Sequence, residues 1–395
     1  MFWDGRKRLA GLAVLAVLAG LGMVGGGAVF WTVRHLSAKP TVVSAINAPG
    51  VAMPILSQSG SPLTHRVSKS VLLVSPRRVP NSRRQALKKA IGVRTLATRP
   101  FLWFASSARA SSWSSVRGIV PVRARINIPK KNIPDGMVLS LAVEAEKGQG
   151  SVWHWSNDQY SPSGPPLKTS LSVSLQTAIG NQDQGAGSVV VINNQGQVVA
   201  ALGSNKGPNR LWSGHPVGLA ELPPLMALAL GNSSVRNSLP PGASLAKIAD
   251  VWGMSRFRAA LDALGFSQPS LFGEQIPGPS LPGHLSPQAF SQGAQLYATA
   301  LELARSYLPF VDEGRISSLS LLTAPQPLAH SVAGDFGAVL RDMPQITQSH
   351  RTFRVWRPAG YYAVILEPSP GLVAVLQGAA TKNTLAVAKA MANLK

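Results

Sequence analysis

The stretch "GSVVVINNQGQVVAALG" (187–203) decides the fold, because it predicts two strands that pair across a tight turn. Two valine-rich runs flank Asn-Gln-Gly, and Gly196 is free to take the positive φ that such a turn requires. Valine favours extended backbone because its branched side chain packs well on a pleated surface. The stretch is therefore predicted to be an antiparallel hairpin.

The segments around this hairpin predict further helices and strands. Apolar residues recur at i, i+3 and i+4 in several of them, which indicates helices with one buried face. The sequence predicts helices at 219–231, 243–266, 286–311 and 383–394, and strands at 361–368 and 371–378. The predicted fold class of residues 167–395 is therefore α+β, with one antiparallel sheet flanked by helices.

The N-terminal region predicts a membrane anchor. Leu9 to Val33 is a run of 25 uncharged residues, long enough to span a hydrocarbon core of ~30 Å. Three basic residues at 6–8 precede the run, which places the N-terminus in the cytoplasm. A cleaved signal peptide is the alternative, but no small-x-small cleavage site follows the run. We expect a cytoplasmic tail (1–8), a transmembrane signal anchor (9–33) and an extracytoplasmic remainder at the bacterial cytoplasmic membrane.

The region after the anchor is strongly basic. The net charge of the chain is +22, and no acidic residue occurs between Asp4 and Asp135. Residues 34–65 are rich in Pro, Ser, Gly and Ala and are predicted to be a linker. Residues 66–160 predict a small, irregular, basic α+β domain. Its 16 Lys and Arg residues between 66 and 131 favour binding to anionic wall polymer or lipid head groups. Nucleic acid is not an expected partner outside the membrane.

The residue types present exclude several kinds of chemistry. The chain has no cysteine, so thiol nucleophiles, disulfides and thiolate metal sites are excluded. The seven histidines are scattered, with no pair at the spacing of helical metal ligands. No metal and no cofactor is predicted. Glu302 and Glu313 are predicted to be surface charges and not an acid/base pair.

Five segments, in chain order, resemble the transpeptidase domain of class B penicillin-binding proteins. They are "LSVSLQTAI" (171–179), the hairpin, "LDALGF" (261–266), "FSQGAQLYATALELA" (290–304) and "YYAVILEPSPGLVAVLQG" (361–378). Upstream, 100–105 and 133–150 resemble a degenerate form of that family's N-terminal pedestal. The resemblance implies a penicillin-binding-protein/β-lactamase-like transpeptidase domain, after a transmembrane helix and the small α+β domain.

The family's chemistry requires the motifs S-x-x-K, S-x-N and K-T-G around one groove. Matching Gly218 to the glycine before the first motif places Leu219 at the nucleophile and Leu222 at the lysine. The S-x-N positions fall on Pro240, Pro241 and Gly242. None of these side chains can attack a carbonyl or relay a proton.

The third motif also lacks its reactive residues. "SVAGDFGAVL" (331–340) resembles the K-T-G segment, with Asp335 at the lysine, Phe336 and Ala338 at the threonines, and Gly337 retained. A carboxylate in place of the lysine turns an attraction of about 4 kcal/mol for a substrate carboxylate at ~4 Å into a similar repulsion. The resemblance thus implies a catalytically inactive member of the family.

One intact S-x-x-K leaves an alternative open. Ser244 and Lys247 share a helix face and could form an active serine D,D-transpeptidase site that binds penicillin. A chance match is the competing interpretation, because no intact K-T-G occurs in the chain. The expected function is scaffolding or regulation in peptidoglycan synthesis or division, with cell-wall synthesis or division proteins as partners. A module that only binds anionic polymer or the membrane surface is the remaining alternative.

Overall fold

The computed structural model describes residues 40, 42–46, 54–130, 152–162, 164–183, 187–203, 214–240, 242–266, 296–321, 323, 329–358 and 360–393. The predicted anchor at 9–33, the tail before it and the predicted pedestal segment at 133–150 lie outside these residues. Among the described residues, no helix combines the length and the apolar character needed to cross a membrane.

The N-terminal part of the described chain forms a closed six-stranded barrel. Its strands, in the spatial order β1-β4-β3-β5-β7-β6, are β1 (Val42–Ile46), β3 (Thr64–Val74), β4 (Phe101–Trp103), β5 (Ile119–Pro129), β6 (Trp153–Ser156) and β7 (Gln159–Pro162). The predicted fold class is therefore wrong: a barrel stands where a small, irregular α+β domain was expected. Strand β1 also lies within the stretch that was predicted to be a linker.

Pairing between distant segments closes this barrel. Ser44 of β1 lies opposite Phe101 in a parallel pair, and Val42 lies opposite His154 in an antiparallel pair. Tyr160 and Trp153 fill the interior, because both side chains are fully buried. Outside the barrel, helices α1 (Asn81–Ile91) and α2 (Ser107–Trp113) cover one face.

The C-terminal part is built on a six-stranded antiparallel sheet. Its order is β10-β9-β18-β17-β16-β15, with β9 (Gly187–Asn193), β10 (Val198–Leu202), β15 (Gln345–Gln348), β16 (Arg351–Trp356), β17 (Tyr362–Glu367) and β18 (Leu372–Gly378). The predicted hairpin at 187–203 and the two predicted C-terminal strands are confirmed. Gly196 has a φ of +73° in the hairpin turn, as its sequence context predicts.

Short strand pairs complete the C-terminal part and connect it to the barrel. These are β2 (Ile55–Leu56) with β8 (Leu167–Lys168), β11 (His215–Pro216) with β12 (Tyr297–Ala298), and β13 (Arg315–Ser317) with β14 (Ala329–Ser331). Ile55 and Leu63, from the chain that precedes β3, are buried in the core of the C-terminal part. The long antiparallel pair of β3 and β5 thus extends from the barrel towards this core.

Helices cover both faces of the sheet. One face packs against α3 (Val173–Asp183) and α10 (Thr384–Ala392). The other face packs against a helical layer that consists of α4 (Leu222–Gly231), α5 (Ser233–Arg236), α6 (Leu245–Trp252), α7 (Met254–Ala263), α8 (Ala300–Ser306) and α9 (Phe336–Asp342). The helix predicted at 243–266 is two helices, since Gly253, with a φ of +75°, separates α6 from α7. Of the predicted motif positions, Leu222, Phe336, Gly337 and Ala338 lie in helices of this layer, and Leu219, Pro240, Gly242 and Asp335 lie in the turns and loops that precede them.

Candidate functional site

Leu219 and Leu222 lie at the N-terminal end of α4. Leu219 is in a short 3₁₀ turn (Gly218–Glu221), and Leu222 is the first residue of the helix. Pro223 and Pro224 fit in the first turn because the amide hydrogens they lack would have no partner within the helix. Both leucines are half-buried and pack against the core between the sheet and the helical layer. Their positions are part of the hydrophobic packing.

Trp356, the last residue of β16, is linked to the backbone of Leu219 by a hydrogen bond. Its indole Nε1 donates a hydrogen bond of 2.9 Å to the carbonyl oxygen of Leu219. The indole is half-buried and packs against the same core as the leucines. The strand that reaches the helix start is therefore β16, and not the segment at 331–340 that the sequence comparison had suggested.

Asp335 lies at the opposite end of α4. Its amide donates a hydrogen bond of 2.8 Å to the carbonyl oxygen of Ala227, eight residues after Leu219. Eight residues correspond to about 12 Å along a helix axis. Gly334 touches the end of the same helix, because a Cβ built on Gly231 would lie 2.6 Å from the Gly334 Cα. The structure does not bring Asp335 to Leu219.

The segment around Asp335 is a helix start and not a strand. Strand β14 ends at Ser331, and Asp335 is the N-cap of α9, whose Oδ1 accepts from the amide of Ala338 at 3.1 Å. Phe336 is buried against Phe310 in an edge-to-face contact with centroids 5.1 Å apart. Gly337 is exposed within the helix. The segment 331–340 thus consists of the last residue of β14, a short loop and the start of α9.

The charge of Asp335 is used locally. Its Oδ2 lies 3.5 Å from Nη2 of Arg236, and both side chains are substantially exposed, so the ion pair contributes little to stability. Arg236 also donates from Nε to the carbonyl oxygen of Leu230 at 2.7 Å, near the C-terminal end of α4. A guanidinium is favourable there because the helix dipole is negative at that end. The negative charge of Asp335 therefore lies near the C-terminal end of α4, away from Leu219.

The other predicted motif positions form the loop between α5 and α6. Pro240 and Gly242 are exposed, and Pro241 lies outside the described residues. Gly242 has a φ of +69°, which suits glycine because it carries no Cβ. Neither Pro240 nor Gly242 offers a side-chain donor or acceptor.

Ser244 and Lys247 form a helix cap and a surface ion pair. Ser244 is the N-cap of α6, and its Oγ accepts from the backbone amide of Lys247 at 3.3 Å. The Lys247 ammonium lies 3.1 Å from Oδ2 of Asp250, with both side chains exposed. The lysine side chain is thus paired with a carboxylate, and the serine hydroxyl is engaged with backbone. An N-cap serine is an ordinary structural role.

The sequence pattern did not reveal the burial of Glu221, a fully buried acid in the same 3₁₀ turn as Leu219. Its Oε2 accepts from Oγ of Ser306 at 3.1 Å, and no hydrogen-bond donor among the described residues reaches its Oε1. Burial raises the pKa of Glu221 well above its usual value, and the hydrogen bond from Ser306 offsets only part of this. The sequence signal was a lone glutamate in the otherwise apolar run "LAELPPLMALALG" (219–231).

Glu302 in α8 is a second buried acid, so the prediction of a surface charge there is wrong. Its carboxylate accepts from the amide and from the hydroxyl of Thr299, both at 2.9 Å, and forms a capping box. Burial raises the pKa of Glu302 to about 7, while the hydrogen bonds from Thr299 and the charge of Arg305 lower it. Glu313 is exposed, as predicted.

Aromatic side chains form the wall beside the helix start. The His215 ring stacks on Tyr361 with ring centroids 4.0 Å apart, and the Tyr362 hydroxyl donates to the carbonyl oxygen of Ala298 at 2.5 Å. In the part of the chain that the structure describes, no group of three or more His, Asp or Glu side chains could hold a metal ion.

Comparison with models of known protein families and with well-characterised proteins finds no match to this chain. The resemblance described above therefore stands on the quoted sequence segments alone.

Proposed function

We propose that this chain is a non-catalytic relative of the class B penicillin-binding proteins, anchored in the cytoplasmic membrane by residues 9–33. In this proposal it acts as a scaffold or regulator that binds proteins of bacterial cell-wall synthesis or division. One observation carries the proposal. The position of the expected nucleophile is occupied by Leu219, which packs against the core and whose carbonyl oxygen accepts a hydrogen bond from the Trp356 indole.

Physical chemistry supports the loss of catalysis. Acyl transfer requires a nucleophile with a lone pair and a base within hydrogen-bond reach of it. A leucine side chain has neither, and Leu222 cannot replace the lysine. Glu221, two residues after Leu219, is fully buried, and burial disfavours its charged form. A retained framework without these groups favours a binding role.

The contacts of Ser244 and Lys247 give no support to the alternative of an active serine site. An activating lysine must reach the serine hydroxyl and be partly desolvated. Here the exposed Lys247 ammonium is directed to Asp250, and the Ser244 hydroxyl caps α6. The active enzyme therefore remains only as the outcome that would contradict the proposal.

Labelling by a fluorescent penicillin tests the loss of catalysis. The full chain in detergent is compared with its Ser244→Ala variant and with an intact penicillin-binding protein as a positive control. We expect no covalent label on either form of this chain, while circular dichroism shows both to be folded. A label that disappears in Ser244→Ala would show that the protein is an enzyme.

Reconstitution tests the scaffold role. The full chain is placed in proteoliposomes with the peptidoglycan polymerase and transpeptidase of the same bacterium, and the rates of glycan polymerisation and cross-linking are measured. We expect at least a two-fold change in one rate, retained in Ser244→Ala. Equal rates with and without the chain, over a range of its concentrations, would contradict the proposal.

A further inference from the structure

One end of the barrel receives the chain from the predicted membrane anchor. The strand register places Ser44, Phe101, Val74 and Ile119 side by side around the barrel. Strands β1, β4 and β5 begin at this end, and β3 finishes there. We call it the entry end, defined by residues 40, 42–43, 75–80 and 114–118.

The position of Pro40 fixes where the chain enters. The hydroxyl of Tyr160, a buried residue of the barrel, donates a hydrogen bond of 2.9 Å to the carbonyl oxygen of Pro40. Pro40 precedes β1 and therefore lies beyond its first residue. The predicted anchor finishes at Val33, nine residues before Val42, and nine residues span at most about 30 Å. The entry end is thus tethered within that distance of the predicted membrane surface.

Three exposed arginines are held together at this same end. Arg77 and Arg78 follow β3, and Arg117 precedes β5. The amide of Ser75 donates to the carbonyl oxygen of Gly118 at 2.7 Å, which joins the two segments. A Cβ on Gly118 would lie 2.8 Å from the carbonyl carbon of Arg78, so the backbones touch and Gly118 must be glycine.

A fourth arginine fixes the backbone of this cluster. Arg84 of α1 donates from Nε to the carbonyl oxygen of Val79 at 3.1 Å and from Nη2 to that of Arg77 at 3.4 Å. The guanidinium of Arg84 therefore braces the segment that carries Arg77 and Arg78. The result is a positively charged surface built on ordered backbone.

Little negative charge opposes this surface. Among the described residues of the barrel, Asp158 in the turn between β6 and β7 is the single carboxylate, and no barrel Lys or Arg forms an ion pair with it. Exposed cations without carboxylate partners attract anionic surfaces, and they do so most strongly at low salt.

We propose that the entry end docks on the anionic lipid head groups of the membrane that holds the anchor. Two independent features identify the membrane surface as the docking partner. The first is the positive charge of Arg77, Arg78 and Arg117, and the second is the short tether that reaches the barrel at the same end. Docking places the entry end of the barrel against the bilayer and directs the C-terminal part away from it. This inference rests on the proposed membrane anchor.

Single-cysteine labelling of the full chain tests the docking, since the chain has no native cysteine. Ser82→Cys places a donor fluorophore in the exposed first turn of α1, beside the arginine cluster. The labelled protein is reconstituted into vesicles of phosphatidylcholine alone or with about one third phosphatidylglycerol, each with an acceptor on the head groups. We expect energy transfer to be at least two-fold higher with phosphatidylglycerol and to fall in 0.5 M salt.

A matched pair of charge variants separates this surface from the general basicity of the chain. Arg77→Gln/Arg78→Gln/Arg117→Gln should abolish the difference between the two kinds of vesicle. Arg357→Gln/Lys382→Gln/Lys389→Gln removes the same three charges from exposed positions of the C-terminal part and should preserve it. Circular dichroism checks that both triple variants are folded.

The outcomes distinguish the docking from the anchor. If the full chain fails to float with neutral vesicles at high salt, the membrane anchor is wrong. If it floats but energy transfer is equal in the two kinds of vesicle, the docking is wrong. Sedimentation with isolated anionic wall polymer that needs the same three arginines, without any dependence on phosphatidylglycerol, would assign the surface to that polymer and overturn the proposal.

Discussion

Trp356 donates its indole Nε1 hydrogen to the carbonyl oxygen of Leu219 across 2.9 Å, which joins the end of β16 to the start of α4. In the class B penicillin-binding proteins that the sequence resembles, a reactive serine is expected at the position of Leu219. Here the hydrogen bond links the end of β16 to the turn that precedes α4. The start of α4 is therefore part of the packed interior, and changes at Trp356 or at Leu219 should affect stability.

Trp356→Phe should lower the free energy of unfolding by about 1 kcal/mol. The ring packing is largely retained, but the hydrogen bond to Leu219 is lost. Urea denaturation measures the change. Trp113→Phe is the control, since Trp113 is also half-buried and packs edge-to-face on Trp103, with centroids 6.1 Å apart. Equal losses in the two variants would show that the hydrogen bond contributes nothing measurable.

Leu219→Ser/Leu222→Lys should not restore penicillin binding. The double variant restores the first motif. Asp335, however, still bonds to α4 at Ala227, and the Trp356 indole still bonds to the backbone at position 219. We also expect a loss of at least 2 kcal/mol in unfolding free energy, because a lysine replaces an apolar side chain packed against the core. Fluorescent penicillin labelling and urea denaturation give the two readouts. Covalent labelling of the double variant would mean that the remaining groups of a transpeptidase site are present.

Asp335→Ala should destabilise the protein by about 1 kcal/mol, whereas Asp335→Asn should be close to wild type. Asparagine keeps the oxygen that accepts from Ala338, and it is as good an N-cap as aspartate. The comparison separates capping from charge, because both substitutions remove the ion pair with Arg236. Similar losses in Asp335→Ala and Asp335→Asn, measured by thermal unfolding, would assign the role of Asp335 to its charge.

Gly231→Ala and Gly337→Ala should have opposite effects. A Cβ at Gly231 meets the backbone of Gly334 at 2.6 Å, so the end of α4 and the segment before α9 must separate, at a cost of about 2 kcal/mol or more. A Cβ at Gly337 meets nothing within 4 Å, and alanine in α9 should stabilise by up to about 1 kcal/mol. Melting temperatures that fall in both variants would contradict this account.

The unfolding free energy should decrease between pH 4.5 and 7 because of Glu302. Burial raises the pKa of its carboxyl from 4.5 to about 7 in the folded protein. In that interval the folded state holds a proton that the unfolded state releases, so stability falls as the pH rises. A pKa difference of this size corresponds to about 3 kcal/mol.

Glu302→Gln should remove this part of the pH dependence, because the amide does not titrate and its oxygen can still accept from Thr299. Glu313→Gln, at an exposed position, should leave the dependence unchanged. Urea denaturation at pH 4.5, 5.5, 6.5 and 7.5 measures the slopes. If Glu302→Gln and wild type lose stability in parallel, Glu302 is not the group responsible.

How much the sequence could predict depended on whether a feature is local. The hairpin at 187–203 and the strands near 361–378 were predictable, because valine-rich runs and the Asn-Gln-Gly turn favour these conformations within a few residues. The barrel was not, because its closure requires pairing between segments as distant as Val42 and His154. Short strands with no such local signal look irregular when each is considered alone.

The same distinction between local features and contacts of distant segments applies to the candidate site. Residue types alone established that cysteine chemistry is absent and that leucines and prolines occupy the proposed motif positions. Tertiary structure decided that Glu302 and Glu221 are buried. It also decided that the indole of Trp356 bonds to the carbonyl oxygen of Leu219. Desolvation and covering contacts depend on which distant segments pack together, and a linear pattern of residues does not contain that information.

The sequence by itself determined the net charge of +22, the basic stretch without acidic residues and the local strands of the C-terminal sheet. Only the tertiary structure decided that β1, β4 and β5 begin at the end of the barrel that carries Arg77, Arg78 and Arg117. It also decided that the amide of Asp335 bonds to α4 at Ala227, eight residues after Leu219. The physical reason is that composition and local propensity act on neighbouring residues, whereas strand register and helix packing determine which distant side chains share a surface.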